Sequence, residues 1–283
     1  MHLVVCIKQV PDSAQIRVHP VTNTIMRQGV PTIINPYDLF AIEAALRLRD
    51  KHGGKVTVLT MGPPMAEDSL RRALTYGVDR AVLLTDRAFA GSDTLATSYA
   101  LSQAILKIGQ TYEPVDIVFT GKQTIDGDTA QVGPGIAKRL DLQQLTYVSG
   151  VNEVNLEGKT ITVERRAEGG VQILKSNLPC LITMLEGTNE IRRGSIDVAL
   201  AAARAEIVTW NAAAAGVAEM GKCGLKGSPT VVKRVFAPSP RADKAKIIDI
   251  GGLTPDAIAT KTLDEIFNRL PTIEKELTAM AQG

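Results

Sequence analysis

Short apolar runs alternate with amphipathic stretches over about the first 145 residues of the chain. These runs place apolar residues at neighbouring positions rather than at every second one, which is typical of strands that are buried on both faces of a sheet. Because helical stretches separate these runs, the pattern predicts an α/β fold, a parallel sheet covered by helices on both sides. The predicted strands are residues 3–7, 55–61, 81–84 and 116–120, and the predicted helices are residues 36–52, 64–76 and 93–107.

The pattern changes after about residue 145. Residues 148–154, 160–166 and 171–176 read as antiparallel strands joined by the turn-forming segments LEGK and AEGG. These strands predict a β extension attached to the parallel sheet. Further predicted elements are a β excursion within residues 13–34, a buried strand at 179–185 and an alanine-rich helix at 195–204.

The last part of the chain differs from the rest. Residues 206–283 carry proline and glycine punctuation and show little periodicity before a final helix. Such a segment lacks the apolar positions for a core of its own, so it must pack elsewhere, on its own chain or on a partner. We predict an α/β domain over residues 1–205, with its β extension at about 146–178, and an arm at 206–283 that packs on a partner subunit.

The composition of the chain argues against nucleic-acid binding and against a membrane-spanning protein. The 32 basic and 30 acidic residues give a net charge of +2, without the clustered basic surface that nucleic acid requires. No run approaches the ~20 apolar residues that span a bilayer, and the apolar start is too short for a signal peptide. Cys6, Cys180 and Cys223 lack disulfide or metal spacing, which fits a reducing, cytoplasmic setting. We predict surface residues rather than metal ligands at the three histidines, His2, His19 and His52.

The strongest local signal for a binding site is the segment GKQTIDGDTAQV, residues 121–132. It follows an apolar strand and opens a helix, and this edge of a parallel sheet is where α/β folds bind nucleotides. Free N–H groups and the helix dipole favour phosphate there, whereas Asp126 or Asp128 could instead cap an ordinary helix start. The segment matches neither the GxGxxG fingerprint nor a P-loop, so both interpretations stay open.

Other predicted strand ends lead to the same edge of the sheet. Cys6 closes the first strand, Met61 closes the second, and residues 35–38 and 91–94 each start a helix. Each has a structural explanation on its own, but together they predict a cleft. No GxSxG, HExxH or Cys/His pair is present, so no catalytic residue is assigned and any chemistry is expected from a cofactor. The charged residues that could face this cleft are Lys8, Asp12, Asp38, Glu43, Lys122 and Asp126.

Four motifs form a recognisable set: VVCIKQVPD at 4–12, NPYDLFAIEAALRLRD at 35–50, VLTMGPP at 58–64 and GKQTIDGDTAQVGP at 121–134. Together they resemble the β subunit of electron transfer flavoprotein, and the resemblance runs in order from residue 3 to about residue 210. It implies a doubly wound, mostly parallel α/β fold related to adenine-nucleotide α-hydrolases. It also implies a heterodimer with an α subunit that carries FAD, and a second nucleotide held by the β subunit.

The resemblance also implies which residues contact that second nucleotide. By motif they fall in the strand-end segments noted above, and the segment SDTLATS at 92–98 adds two threonines one helical turn apart. The implied cofactor-binding residues are Cys6, Asn35, Pro36, Tyr37, Asp38, Met61, Thr94, Thr97, Gly121, Lys122, Gln123, Thr124, Ile125, Asp126, Gly127, Asp128, Thr129, Ala130, Gln131 and Val132.

The nucleotide in this family is a structural AMP or, in electron-bifurcating members, a second FAD. The segments IDGDTAQVGP and SDTLATS resemble the FAD type, whose small residues leave room beyond the adenylate. In that type NADH gives a hydride to the β-subunit FAD. One electron then passes through the α-subunit FAD to a flavin dehydrogenase, such as an acyl-CoA dehydrogenase, and the other passes to ferredoxin or flavodoxin.

Two alternatives to the bifurcating type stay open. One is a non-bifurcating β subunit with structural AMP, which shuttles electrons from acyl-CoA-type dehydrogenases. The other is a stand-alone nucleotide-sensing or ATP-hydrolysing α/β module. The long arm argues against the stand-alone module, because the arm requires a partner to cover it.

The family docks on its dehydrogenase through a projecting loop with an apolar anchor, followed by a lysine-rich helix. The corresponding segment here is RRGSIDVALAAARAEI, residues 192–207, which puts Ile196 at the anchor position. The lysines are missing, and residues 201–204 are three alanines and an arginine. Docking through an apolar residue survives this change, but its electrostatics differ from the family pattern. An ordinary surface helix is the alternative.

Overall fold

A computed structural model describes residues 1–12, 17–18, 25–26, 31–231 and 247–281 of the chain. The chain divides into two compact units, Met1–Ala237 and Pro238–Gly283. The strands are β1 (His2–Cys6), β2 (Gln9–Pro11), β3 (Arg17–Val18), β4 (Ile25–Met26), β5 (Thr32–Ile34), β6 (Lys55–Met61), β7 (Arg80–Leu84), β8 (Ile117–Gly121), β9 (Gln143–Asn155), β10 (Thr160–Ala167), β11 (Gly170–Asn177), β12 (Cys180–Met184) and β13 (Val208–Trp210). The helices are α1 (Pro36–His52), α2 (Glu67–Leu74), α3 (Thr94–Thr111), α4 (Val132–Arg139), α5 (Ile196–Arg204), α6 (Pro255–Arg269) and α7 (Pro271–Ala281).

A nine-stranded sheet in the order β11–β10–β9–β12–β8–β1–β6–β7–β13 is the centre of the first unit. Every neighbouring pair from β9 to β13 in this order is parallel, whereas β9, β10 and β11 form an antiparallel extension. Strand β1 has β6 on one side and β8 on the other, which makes the gap between β1 and β8 a topological switch point. The predicted fold class is confirmed.

Side chains on both faces of the central strands are buried, which explains why apolar residues occupy neighbouring positions in these runs. In β1, Leu3 and Val5 pack in a core with residues of α1 and α2. Val4 and Cys6 pack on the opposite face, in a core with residues of α3 and α4. With both faces covered, the strand ends are where a ligand can reach the sheet.

Proline and glycine residues set several of the helix boundaries. Helix α1 has the predicted bounds, because proline is favoured in a first turn and Gly53 ends the helix with φ 74°. The helix predicted at 64–76 is shorter, since a 3₁₀ turn, Pro64–Ala66, precedes α2. Part of the β excursion predicted within residues 13–34 is present as the antiparallel β3–β4 pair and as β5. The rest of that excursion lies outside the described residues.

The prediction of a surface position was wrong for His2. Its side chain is 1% exposed, because the first residue of β1 already lies inside the sheet. One ring nitrogen lies 2.7 Å from the carbonyl oxygen of Glu113 and the other lies 2.9 Å from the Thr57 hydroxyl. His52 is half-buried and His19 lies outside the described residues.

The start of the predicted arm belongs to the first unit. Strand β13 extends the main sheet beside β7, and Trp210, Ala212, Ala215 and Cys223 are buried in the core next to α3. The compact unit therefore runs to Ala237, past the boundary predicted after residue 205. A three-residue strand followed by alanines has too little periodicity to reveal this from sequence.

The second unit contains two helices where the sequence predicted one, because Pro271 cannot continue α6 and begins α7 instead. No residue of α6 is buried. Apolar side chains along the two helices are exposed, among them Leu263, Ile266, Leu270 and Leu277. That this unit packs on a partner stays a prediction.

Candidate nucleotide-binding site

A cleft opens at the carboxyl ends of β1 and β8, at the switch point of the sheet. It has a cavity volume of about 200 Å³, below the range of ~300–1,000 Å³ that is typical of sites enclosing a whole small molecule. It is lined by Cys6, Ile7, Lys8, Asp38, Met61, Ser92, Asp93, Thr94, Thr97, Leu101, Thr120, Gly121, Lys122, Gln123, Thr124, Thr129, Ala130, Gln131, Val132 and Gly133.

Asp38 connects the three segments that form the floor of this cleft. The residue is 4% exposed, and its carboxylate accepts hydrogen bonds from the backbone N–H of Lys8 (2.7 Å) and of Gly121 (3.2 Å). The side-chain amide of Asn35 donates a third bond, of 2.9 Å. The ends of β1 and β8 are thereby tied to the start of α1, which gives Asp38 a structural role as well as a place in the lining.

Asn35 extends the same network to the loop after β8. Its side-chain oxygen accepts from the backbone N–H of Ile125 (3.2 Å), and its side-chain nitrogen donates to the carbonyl of Gln123 (2.9 Å). Asn35 itself is buried and does not line the cleft. The NPYD motif therefore shapes the loop through hydrogen bonds to its backbone.

Burial raises the pKa of Asp38 to about 7, against the opposing effect of the donors on Asn35, Lys8 and Gly121. We expect Asp38→Asn to destabilise the fold, because an amide cannot accept from all three donors and turns its own N–H towards one of them. The pH dependence has a definite sign. Between about pH 4 and pH 7 the folded chain keeps a proton on Asp38 that the unfolded chain has lost, so the stability that this group contributes falls as pH rises.

The measurement is urea unfolding of both proteins at pH 5, 6, 7 and 8. The advantage of wild type over Asp38→Asn should shrink towards pH 7, by at most about 1.4 kcal/mol per pH unit, and then level off. An advantage that is the same at all four pH values would show that the three donors keep the carboxylate ionised throughout.

The loop after β8 contradicts the simple capped-helix interpretation. Helix α4 begins only at Val132, and its N-cap residue, Gln131, makes no side-chain capping bond. The prediction that Asp126 or Asp128 caps this helix was therefore wrong. The Asp126 carboxylate accepts from the Lys8 ammonium at 2.8 and 2.9 Å, and Asp128 accepts from the Gln123 side chain at 2.8 Å.

The backbone just before α4 is shaped to receive an anion. Ala130 has φ 54°, a left-handed conformation that is uncommon for a residue other than glycine. Gln131 follows with right-handed φ −99° and ψ −22°. Successive residues of opposite hand turn their N–H groups towards one point and form an anion-binding concavity. With the uncapped start of α4 directly behind it, this is where the cleft is best suited to phosphate.

Helix α3 also begins at the cleft, but its N-terminus is already occupied. The Asp93 carboxylate accepts from the backbone N–H groups of Leu95 (2.9 Å) and Ala96 (3.0 Å). A carboxylate at this position competes with any phosphate. The start of α3 thus has a side-chain cap, whereas the start of α4 has none.

Lys122 brings positive charge to the cleft. Its ammonium lies 5.4 Å from the centre of the Tyr37 ring and 5.8 Å from that of Tyr147, and 3.7 Å from a Glu186 oxygen. Two aromatic faces and one carboxylate thus restrict the position of this cation. Tyr37 does not line the cleft, but it contributes by holding Lys122.

The thiol of Cys6 lies on the floor of the cleft. Burial, with a smaller effect of the Asp38 charge, raises the pKa of Cys6 to about 12. The group is therefore a neutral S–H at physiological pH and contributes packing and shape rather than a thiolate nucleophile.

Among the residues that the structure describes, no group of three or more His, Cys, Asp or Glu side chains could hold a metal ion. Within the same residues, no helix is both long and apolar enough to cross a membrane.

Helix α5, the predicted docking region, is fixed at both ends. Before it, the Arg192 guanidinium donates to Glu43 (2.9 and 3.1 Å) and also pairs with Asp50. After it, Arg71 donates to the carbonyls of Ala202 (2.9 Å) and Ala205 (2.8 Å). Glu43 therefore pairs with Arg192 and does not line the cleft, unlike the possibility raised from sequence.

The outward face of α5 is apolar. Ile196 is 79% exposed and Leu200, one turn later, is 51% exposed, while Ala202 is buried. A rigidly held helix that presents two large apolar side chains to solvent is typical of a protein contact site. That Ile196 docks on a dehydrogenase stays a prediction.

Comparison with known proteins identifies the family. The model of the electron transfer flavoprotein domain matches residues 22–215. The chain belongs to the electron transfer flavoprotein family. A protein named FixA from Azorhizobium caulinodans is 71% identical over 283 residues, the whole of both chains. FixA of Azotobacter vinelandii is 64% identical over 281 residues, 99% of this chain and 100% of that one.

The family also includes a more distant relative of this chain with a different name. The electron transfer flavoprotein subunit beta of Thermoanaerobacterium thermosaccharolyticum is 48% identical over 253 residues, 89% of this chain and 94% of that one. The resemblance identified from the four sequence motifs is confirmed.

Most residues that the family resemblance implied as nucleotide contacts line the cleft. Those that do not are Asn35, Pro36, Tyr37, Ile125, Asp126, Gly127 and Asp128. Their contact with a nucleotide, like that of the lining residues, stays a prediction. The lining residues absent from the implied set are Ile7, Lys8, Ser92, Asp93, Leu101, Thr120 and Gly133. Lys8, Ser92 and Asp93 lie beside predicted strand or helix ends and were within reach of sequence reasoning, whereas Leu101 and Gly133 enter only through helix packing.

Proposed function

We propose that this chain is the β subunit of a heterodimeric electron transfer flavoprotein and holds a nucleotide in the cleft at the switch point. The observation that carries the proposal is the uncapped start of α4 behind the left-handed Ala130, in a chain that belongs to this family. Whole-length similarity to a FixA protein, and similarity over 89% of the chain to an electron transfer flavoprotein β subunit, support the same conclusion.

A partner subunit is part of this proposal. The exposed apolar side chains of α6 and α7 are costly in water and favour a chain that covers them. The α subunit of the family is the expected partner. A nucleotide-sensing or ATP-hydrolysing module that acts alone leaves these side chains unexplained.

We favour FAD over AMP as the bound nucleotide. The cleft continues from the phosphate position along α3, where Thr94 and Thr97 line it one turn apart. Small side chains at Thr129 and Ala130 leave this path open. A cleft that held only an adenylate would not need this second wall of hydroxyl groups.

The bound FAD would supply hydride acceptance from NADH and the transfer of single electrons. The chain's own residues would bind and orient it, with the backbone of residues 130–133 on the phosphates and Lys122 near the anionic part. If FAD is bound, the expected electron acceptors would be a flavin dehydrogenase such as an acyl-CoA dehydrogenase, reached through the α subunit, and ferredoxin or flavodoxin.

The test is to count the nucleotides released by acid denaturation from the protein purified with its α partner. We expect two flavins per heterodimer by absorbance and no stoichiometric AMP by chromatography. One flavin and one AMP per heterodimer would support the non-bifurcating subunit instead. A flavin-free monomer that hydrolyses ATP would support the stand-alone module.

The variant Thr97→Phe tests whether the second flavin lies along α3. A phenyl ring on the α3 wall should exclude a flavin but leave the phosphate position open, so flavin content should fall from two to one while AMP binds in its place. Thr111→Phe at the far end of the same helix is the matched control and should keep both flavins. Equal flavin loss in both variants would mean that α3 is merely destabilised.

A further inference from the structure

The segment 223–230, which we call the strap, closes over the loop that starts α3. This loop, residues 91–94, contributes Ser92, Asp93 and Thr94 to the cleft wall. The strap lies beyond the part of the chain matched by the family model, which ends at residue 215. Its packing is close, since an added side-chain carbon at Gly224 would lie only 2.4 Å from the carbonyl oxygen of Ala88.

The strap and the loop are joined by reciprocal hydrogen bonds. The Asp93 backbone N–H donates to the Ser228 hydroxyl at 2.8 Å, and the Gly224 N–H donates to the Ser92 hydroxyl at 3.1 Å. Thr230 donates twice to one Asp93 carboxylate oxygen, from its hydroxyl (2.8 Å) and its backbone N–H (3.1 Å). Ser228 in turn donates to the Gly224 carbonyl at 2.7 Å, which closes the strap on itself.

These hydrogen bonds fix the orientation of the Asp93 carboxylate, which carries a negative charge on the cleft wall. One Asp93 oxygen faces the N–H groups of α3 and the other faces Thr230. Burial opposes ionisation of Asp93, but the N–H of Ala96 and the donors of Thr230 outweigh it and lower the pKa. The carboxylate is thus ionised, and it accepts hydrogen bonds from α3 and from the strap. Without the Thr230 hydroxyl, the oxygen that faces Thr230 would lose one of its two strap donors and its charge would be less screened from an anion in the cleft.

The strap also acts across the mouth of the cleft. Thr94, the residue after Asp93, donates from its hydroxyl to the Gln131 side chain at 2.8 Å. Gln131 is the N-cap of α4, beside the proposed phosphate position. Movement of residues 91–94 would therefore shift the wall that faces this position.

We propose that the strap is a positioning element for the bound nucleotide, with Ser228 and Thr230 fixing Asp93 and, through Thr94, the wall opposite the phosphate position. The inference rests on the proposed function, since it assumes that the cleft holds an adenine nucleotide. Neither Ser228 nor Thr230 lines the cleft, so their effect on the ligand is indirect.

The test compares AMP with adenosine, which lacks the phosphate, by calorimetric titration of the full-length protein stripped of its nucleotide. Thr230→Val keeps the shape and removes the hydroxyl donor to Asp93, and Ser228→Ala removes the acceptor for the Asp93 N–H. Each variant should weaken AMP binding by about 3- to 10-fold and change adenosine binding by less than about twofold. Thr209→Val, at the exposed position of β13 and not in the cleft lining, is the matched control and should bind both ligands as wild type does.

Thermal unfolding separates positioning from loss of structure. An unchanged AMP affinity in both variants would overturn the proposal. An equal weakening of AMP and adenosine, accompanied by a lower unfolding midpoint, would also overturn it, because the strap would then only stabilise the fold. If the wild-type protein binds none of AMP, adenosine and FAD, the proposed function is wrong. This outcome is distinguishable from failure of the strap proposal, because it is seen in the wild type and needs no variant.

Discussion

Replacing Gly121 with alanine should destabilise the fold and abolish nucleotide binding together. A side-chain carbon at this position would lie 2.5 Å from an Asp38 carboxylate oxygen and 2.7 Å from the Tyr37 carbonyl carbon. The Tyr37 carbon is backbone, and the carboxylate is held by its other donors on Lys8 and Asn35, so neither can move freely. Overpacking of this kind costs about 1–3 kcal/mol, and loss of the Gly121 N–H bond to Asp38 adds to it.

The measurement is urea unfolding combined with titration of AMP and FAD. We expect the free energy of unfolding to fall by about 3 kcal/mol and the affinity for both nucleotides to fall by at least about 100-fold, because the ends of β1 and β8 separate. Gly109→Ala, near the far end of α3, is the matched control and should keep wild-type affinity without loss of stability, because the nearest atom to an added carbon there is a Val115 methyl carbon at 3.6 Å. If Gly121→Ala kept wild-type stability and affinity, the close approach of α1 to β8 could not be what shapes the cleft.

The parts of the fold that could be predicted from sequence are those set by local chemistry. The apolar runs of β1 and β8 identify strands covered on both faces, and Pro36 and the Gly53–Gly54 pair fix both ends of α1. The location of the cleft follows from the same information, since the ends of parallel strands meet at one edge of a sheet.

What could not be predicted depends on partners distant in sequence. Aspartate is a common helix-capping residue, but the carboxylate of Asp126 accepts a hydrogen bond from the ammonium of Lys8, 118 residues earlier in the chain. Asp38 and Asn35 look like candidates for ligand contact, yet their hydrogen bonds go to Lys8, Gly121 and the loop that follows. No local pattern distinguishes a carboxylate that binds a ligand from one that holds two strands together.

The strap shows the same limit at the other end of the chain. Residues 206–230 have the proline and glycine content of an arm, and sequence reasoning assigned them to a partner. In the structure Trp210 and Cys223 are buried against α3, and Thr230 binds Asp93 across 137 positions of sequence. Hydrophobic periodicity cannot predict the position of such a segment, because contacts with α3 rather than a regular helix or strand pattern determine its conformation.

A substitution on the outward face of α5 should strongly weaken docking on the partner dehydrogenase while leaving the stability of the fold almost unchanged. Replacing Ile196 with aspartate should raise the KM for the partner dehydrogenase by about 30-fold or more, because a central apolar anchor typically contributes about 2 kcal/mol or more to binding. The side chain is 79% exposed, so the folded chain does not depend on it and the free energy of unfolding should change by no more than about 0.5 kcal/mol. Flavin content should stay at the wild-type value, since α5 does not line the cleft.

Ala201→Asp is the matched control for charge on the same helix. Ala201 is exposed and lies five residues from Ile196, about 140° around the helix axis, so its aspartate should leave the KM unchanged. The missing lysines add a second expectation, that the KM rises by less than about twofold between 50 and 200 mM salt, because few charges remain to be screened. Equal losses in Ile196→Asp and Ala201→Asp, or a steep salt dependence, would mean that charge rather than an apolar anchor governs docking on α5.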